Sequence, residues 1–283
     1  MSTALIPATS SSGDARQRAR RFLERDPLLN YAAARALLYE DATVAGMAES
    51  GEAVVGVAIA GRPAGGEPPL IWLDAIGPVA LRRLLATLGR PPRRFLVQRP
   101  WMDAVLSREL GPSRIRHAIE LFAGEIGPDA RDAVAPEWRE PIAPVVPLTL
   151  AAIEGLRAGS SAWNLAALAE QMARGGEAYG VVLEGVLVAH AACGFPAGSV
   201  EEITHVYTAP GWRGMGLAQA VTLAAARAIT GRGHRPLYRG RTGNAASRRV
   251  AERCGLVHFA SARELLLDVR GARARSVGAS VRG

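Results

Sequence analysis

The chain has no lysine: all 34 of its strong bases are arginine. Its formal net charge of +8 therefore sits on groups that stay protonated at any working pH. A P-loop ending in Gly-Lys-Ser/Thr is excluded, and so is regulation by acetylation of a lysine side chain. The arginines are scattered, with a loose concentration in "VRGARARSVGASVRG" at the C-terminus. That distribution reads as coding bias plus a solvated basic tail, so no nucleic-acid partner is expected. Cysteine is scarce. Cys193 and Cys254 are too few for a disulfide framework, which points to a reducing, cytoplasmic setting. Each is either a buried structural thiol or an acyl-accepting nucleophile. The five histidines lack ligand spacing, so no metal is expected. No apolar run approaches the roughly 18 residues of a membrane span, and the N-terminus lacks a signal-peptide core, so no membrane association is expected.

What is present is a large apolar fraction, 49% of 283 residues, enough for a substantial core. The order of elements suggests two related halves. We expect a flexible N-terminus over residues 1–15, a first α+β lobe over 16–131, a proline-rich linker over 132–146, a second lobe over 147–270 and a basic flexible tail over 271–283. In the second half "LAALAEQMARGG" reads as a helix, "AYGVVLEG" and "VLVAHAACGF" as a hairpin, and "VEEITHVYTAP" as a strand stopped by Pro210. A helix "LAQAVTLAAARAIT", a strand "PLYRGR", a helix "NAASRRVAERCG" and a final strand pair "LVHFASARELLLDV" follow. The first half repeats this order weakly, with "DAIGPVALRR" where the second has "YTAPGWRGMGLAQA". An internal duplication is expected, with one half carrying a site.

The stretch "GWRGMGLAQA", Gly211–Ala220, crowds glycines and Arg213 against a helix start. The first amides of a helix lack internal acceptors and lie at the positive end of its dipole. Glycines there let the backbone curl around an anion, and an arginine adds a charged donor. The dinucleotide fingerprint G-x-G-x-x-G is not met, because Leu217, Ala218 and Gln219 follow the second glycine. The loop does satisfy R-x-x-G-x-A, and "NAASRRVAERCGL" opens one helix and one strand later.

In these motifs, over roughly Pro147–Val269, the sequence resembles the GNAT superfamily of N-acetyltransferases. The first half is more loosely similar to the degenerate lobe of two-lobed bacterial members. The resemblance implies an α+β fold of tandem GNAT-like lobes, each a mixed, mostly antiparallel sheet flanked by helices. It implies acetyl-CoA as co-substrate. The amides of Gly214, Met215, Gly216, Leu217, Ala218 and Gln219 would hold the pyrophosphate, with Arg213 at the loop entrance. Val206, Tyr207 and Thr208 would pair with the pantetheine arm, and Asn244, with Ser247 nearby, would reach the cofactor from the next helix.

The implied activity is direct transfer of an acetyl group to the amine of a small molecule. A lysine-like amine, of pKa about 10.4, is almost wholly protonated near neutrality and needs a base. Glu202 stands where many GNAT enzymes carry a glutamate base, and His205 titrates in a suitable range. Strand alternation puts the two on opposite faces unless the strand bulges. Alternatively, Glu202 is a solvated edge carboxylate and His205 a half-buried structural histidine. One departure stands out. Ala251 occupies the position where many members carry a tyrosine that protonates the departing thiolate. Water, Ser247 or Tyr238 would replace it, or no acid is needed because a thiolate is already a fair leaving group, or the chain is a non-catalytic acyl-CoA-binding or sensory module. Trp72, Trp101 and Met102 are candidates to line an acceptor cleft, though such residues are more often core, and Trp163 is a candidate substrate contact. Two tandem lobes are compatible with a monomer or a homodimer.

Overall fold

Pro27 lacks an amide hydrogen and is accommodated only in the first turn of a helix, so it divides the first helical run of the sequence. In the computed structural model, which describes residues 13–61, 67–88, 94–124, 126, 143–155, 157–158 and 162–267, the run becomes α1 (Gly13–Leu23) and α2 (Pro27–Tyr39). Helix α1 already begins at Gly13, inside the stretch expected to be flexible. The tail 271–283 and residues 132–142 of the expected linker lie outside the described residues.

Strands β1 (Thr43–Ser50) and β2 (Ala53–Ala60) form the expected hairpin, turning through Gly51 at φ 61°. Then come β3 (Leu70–Ala75), α3 (Pro78–Thr87), β4 (Arg94–Val97), α4 (Trp101–Leu110) and β5 (Ser113–Ala123). Further along lie β6 (Val146–Leu148), α5 (Leu150–Gly155), β7 (Arg157–Ala158), α6 (Ala162–Ala173), β8 (Glu177–Leu183), β9 (Val186–Cys193) and β10 (Val200–Thr208). The chain continues as a 3-10 turn (Pro210–Trp212), α7 (Leu217–Gly231), β11 (Arg235–Arg241), α8 (Ala245–Arg253) and β12 (Val257–Leu267). The segment β6 to β7 has too few periodic residues to be read from sequence. The expected final strand pair is one strand, because no turn residue interrupts "VHFASARELLL".

These elements form two compact units that are not continuous in sequence. Residues up to Ile119 join those from Ala260 onward, whereas Glu120–Phe259 form the other unit. In the first unit β1, β2 and β3 are antiparallel neighbours, β3 and β4 are parallel, and the C-terminal part of β12 closes the row antiparallel to β4. Arg94 Nε donates to Glu264 Oε1 at 2.6 Å across that last pair. Strand β2 is buried on both faces, so it reads as a near-continuous apolar run. Leu81, Leu84, Met102 and Leu106 from α3 and α4 pack in one core, and Phe22 and Leu37 from α1 and α2 in a second. Met102 is fully buried and Trp101 packs against the same core, while Trp72 packs against the other. All three serve packing. The side chain of Trp163 lies outside the described residues.

The second unit orders its strands β6, β8, β9, β10 and β11, antiparallel except for the parallel β10–β11 pair. Glu184 and Gly185, both at positive φ, make the tight β8–β9 turn. Helix α7 is buried along most of its length: Val221, Ala225, Ala226 and Ile229 sit in the main core with Val181, Ala189 and Ile203. Phe122 and Ile126, from far upstream, are part of that core, with the Phe122 ring edge-on to Tyr238 at 6.3 Å. Each unit is thus a mixed, mostly antiparallel sheet flanked by helices.

Candidate active site

The site begins with an irregular strand. Strand β10 pairs with β9 at Ile203↔Cys193 and Thr204↔Ala192, then resumes at Tyr207↔His190 and Thr208↔Ala189. His205 and Val206 thus stand opposite Ala191 alone, which is a β-bulge, and His205 takes φ 51° in the left-handed region. On the other side, the parallel ladder to β11 stops at Ile203↔Tyr238, although β10 runs on to Thr208 and β11 to Arg241. Beyond that point β10 presents an edge whose main-chain groups face a gap rather than a neighbouring strand.

The chain then turns through Pro210–Trp212, and Arg213 Nε donates to Thr208 O at 3.1 Å. Gly214 and Gly216 follow at φ 81° and 77°. Added Cβ atoms at these two glycines would meet nothing within 4 Å, so backbone conformation, not crowding, is what calls for glycine. Gly216 is the N-cap of α7, with no side-chain cap and no acidic residue in the first turn. The helix's own hydrogen bonding opens with Ala220 N–H to Gly216 O at 3.0 Å. The amides of Leu217, Ala218 and Gln219 therefore lack intrahelical acceptors, at the positive end of a 15-residue helix. The Gln219 side chain turns away and donates to Arg253 O at 3.1 Å.

Helix α8 supplies the opposite wall. Asn244 caps it, its Oδ1 accepting from Ser247 N–H at 3.1 Å, and the Ser247 hydroxyl lies 2.9 Å from the Tyr238 hydroxyl. A groove of about 450 Å³ joins these parts. Val206, Tyr207, Thr208, Arg213, Gly214, Gly216, Leu217, Ala218, Gln219, Asn244 and Ser247 all line it. Met215 does not, and its side chain is exposed. Trp212, Tyr238, Ala246, Arg249, Val250 and Arg253 complete the lining. No signal in the linear sequence singled out Trp212, Arg249 or Arg253. Among the described residues, the lining holds three arginines and no carboxylate.

Neither base candidate lines this groove. Glu202 is buried, and its two carboxylate oxygens accept from Arg239 at 2.6 and 2.7 Å. Its neighbour Glu201 engages Arg232 at 2.6 Å and His234 at 3.0 Å. His205 is partly exposed at the bulge, and desolvation lowers its imidazole below the ordinary histidine value, opposed by the Glu202 charge. Behind it, His190 stacks on Tyr207 with ring centroids 5.6 Å apart. His190 is 1% exposed, and among the described residues neither ring nitrogen reaches a partner at hydrogen-bonding geometry. Burial pulls its imidazole down to about 4, against the opposing influence of the His205 main chain, so it is neutral near pH 7.

Burial raises the Tyr238 phenol, an effect opposed by its hydrogen bond to Ser247, so Tyr238 stays protonated near neutrality. Ala251 is fully buried in the main core and does not line the groove. The two thiols, Cys193 and Cys254, are buried and pushed up to about 12 by that burial, which leaves neither as a thiolate near pH 7.

Residues 178–263, which contain the loop, the bulge and both groove walls, match the model of the FR47-like protein family. No curated protein matches. Among solved structures, a GCN5-related N-acetyltransferase from Kribbella flavida aligns at a TM-score of 0.54 and 18% identity, over 88% of this chain and 95% of that one. An acetyltransferase from the GNAT family of Colwellia psychrerythraea aligns at 0.58 and 11% identity, over 91% and 98%. A tandem GNAT protein from the clavulanic acid biosynthesis pathway aligns at 0.57 and 12% identity, over 93% and 97%. The chain has the GNAT fold, in two lobes. The FR47-like match falls on the second lobe, where the strand gap, the glycine loop and the capped helix meet. Among the described residues no helix is long and apolar enough to cross a membrane.

Proposed function

We propose that the second lobe binds acetyl-CoA in this groove and that the chain is an N-acetyltransferase acting on the amine of a small molecule by direct transfer. The observation that carries the reading is the meeting of the open β10 edge with the uncapped start of α7 in one groove. The first suits an extended amide-bearing arm and the second a pyrophosphate. The GNAT fold supports acyl-CoA chemistry in general, and the acceptor is our own inference from the groove and its surroundings.

Acetyl-CoA supplies an acetyl group already activated as a thioester. The amides of Gly214–Gln219 would hold its pyrophosphate, with Arg213 beside them. Val206, Tyr207 and Thr208 would pair with the pantetheine amides, and the strand amides at the bulge would donate to the thioester oxygen. Asn244 would serve chiefly by holding α8 in place through its cap. A micromolar ligand needs about −8 kcal/mol, and hydrogen bonds to charged groups contribute about 1.5–3 kcal/mol each. A few such amides are enough.

Protons need a donor and an acceptor. Tyr238, protonated and hydrogen-bonded to Ser247 in the groove wall, takes the general-acid role that Ala251 cannot fill. For the base we favour His205 over Glu202. Both oxygens of Glu202 are committed to Arg239, whereas His205 is partly exposed and held neutral, ready to accept a proton directly or through water. Glu202 then orients β11 and tunes His205.

Thiol release from acetyl-CoA across a panel of amines tests this reading. Turnover with at least one amine, reduced about a hundred-fold in His205→Gln without a matching loss of acetyl-CoA affinity, is expected. Binding without turnover on any amine would instead favour the acyl-CoA-binding or sensory module. Full activity in His205→Gln with loss in Glu202→Gln would return the base to Glu202.

A further inference from the structure

Among the described residues, the groove's lining holds three arginines and no carboxylate, more cationic provision than a pyrophosphate at the loop requires. Arg213 sits with the loop, where its Nε is already engaged by Thr208 O. Arg249 and Arg253 come from α8, four residues apart and so on one side of the helix, and both line the groove with exposed side chains. The preceding exposed arginine, Arg248, is engaged with Glu120 and Glu252, each at 3.3 Å. Arg248 meets carboxylates, while Arg249 and Arg253 both border the groove.

We propose that Arg249 and Arg253 recognise the 3′-phosphate of coenzyme A, and so make this lobe selective for CoA thioesters over those lacking that group. The proposal rests on the acetyl-CoA reading above. The chemistry favours it on three counts. A phosphate monoester is close to doubly charged at pH 7, so it gains more from paired arginines than a diester or a sugar hydroxyl does. Guanidinium forks bind phosphate oxygens bidentately, which lysine cannot do. Finally, the α7 N-terminus and Arg213 provide for the pyrophosphate, while Arg249 and Arg253 border the same groove from α8, where a third phosphate of the same ligand would meet them.

Calorimetric titration with acetyl-CoA and with acetyl-dephospho-CoA, in the absence of any acceptor, tests the assignment in the full chain and in R249Q/R253Q. Leaving the acceptor out separates the 3′-phosphate from an acidic acceptor as the group recognised. The expected result is at least ten-fold tighter binding of acetyl-CoA by the unmodified chain. In R249Q/R253Q that preference falls to within about two-fold, with acetyl-dephospho-CoA bound as before. Equal affinity of the unmodified chain for both thioesters overturns the proposal and leaves the pyrophosphate cradle standing. So does an equal loss for both in the double variant. Failure of the unmodified chain to bind either thioester would instead remove the acetyl-CoA reading on which the proposal rests. Both arginines are exposed, so folding of the variant is checked simply by its melting temperature, and the comparison of two ligands on the unmodified chain needs no variant at all.

Discussion

The two lobes run through the same junction twice, a strand leading by a short loop into a helix, with a parallel strand beyond. In the first lobe, β3 pairs with β2 in unbroken register from Ile71↔Ala60 to Ala75↔Gly56. Gly77 is extended at φ 177°, and Pro78 takes the first helical position of α3 and removes an amide from its start. The strand end is closed by a polar cluster. Asp74, buried, accepts from Asn30 Nδ2 at 3.0 Å and from Arg99 at 2.6 and 3.2 Å. In the second lobe the corresponding strand bulges, the loop glycines turn left-handed, and every first-turn amide of α7 is kept. A handful of local changes thus separates a closed junction from the one that opens into the groove. The topology around them is shared.

The largest test of this comparison is to cut between the lobes where the sequence alone suggests. Residues 147–270 on their own would lose Phe122 and Ile126 from the main core, and would keep the β12 residues that pair with β4. Loss of one fully buried phenylalanine costs about 3–5 kcal/mol, against a typical domain stability of about 5–15 kcal/mol. We expect no cooperative melting of this fragment by circular dichroism. Melting like that of the intact chain would mean that the exchanged segments are dispensable.

Next in size is the chemistry proposed for the second lobe. Tyr238→Phe should lower kcat about ten- to a hundred-fold with little change in acetyl-CoA affinity, because the hydroxyl paired with Ser247 is lost while the ring still packs on Phe122. An unchanged kcat would assign the leaving-group proton to water. The acid limb of kcat/KM should lie below the ordinary histidine value of about 6.5, since desolvation lowers His205, and should vanish in His205→Gln.

His190 makes a stability prediction of similar size. Its folded value, about 4, is depressed below that of the unfolded chain, so the unfolded state binds the proton first as pH falls. Stability is therefore full above about pH 6.5 and declines towards pH 4, by up to about 3 kcal/mol. His190→Phe keeps the stack on Tyr207 and should flatten that decline in a melting series from pH 7 to pH 4.5. A decline equally steep in the variant would place the acid lability elsewhere.

The smallest effect belongs to the first lobe. Asp74→Asn should cost about 1–3 kcal/mol of stability by weakening the pair with Arg99, while leaving acetyl-CoA affinity unchanged. A change in affinity would break the division of labour between the two junctions.

The legible parts of this molecule are the local ones. The glycine loop, Arg213, the strand stopped by Pro210 and the Asn244 helix announce themselves within short windows, because caps, turns and left-handed positions are set by neighbours in sequence. What could not be read depends on distant partners. Glu202 has the right position for a base, but its partner Arg239 stands on a parallel strand beyond α7. Tyr238 and Ser247 meet only because β11 and α8 fold back on each other. Arg249 and Arg253 are two among many arginines until α8 is set against the groove. The strand exchange is the extreme case: nothing within "RELLL" marks β4 as its neighbour.

The most direct test of the central claim is calorimetric titration of the intact chain with acetyl-CoA, repeated with Gly216→Asp and with Gly77→Asp. Both glycines leave space for a Cβ, but only Gly216 is left-handed and borders the groove. We predict micromolar binding that survives in Gly77→Asp and falls at least a hundred-fold in Gly216→Asp, with both variants folded. Undiminished binding in Gly216→Asp, or none in the unmodified chain, would contradict the cradle and the acetyltransferase reading built on it.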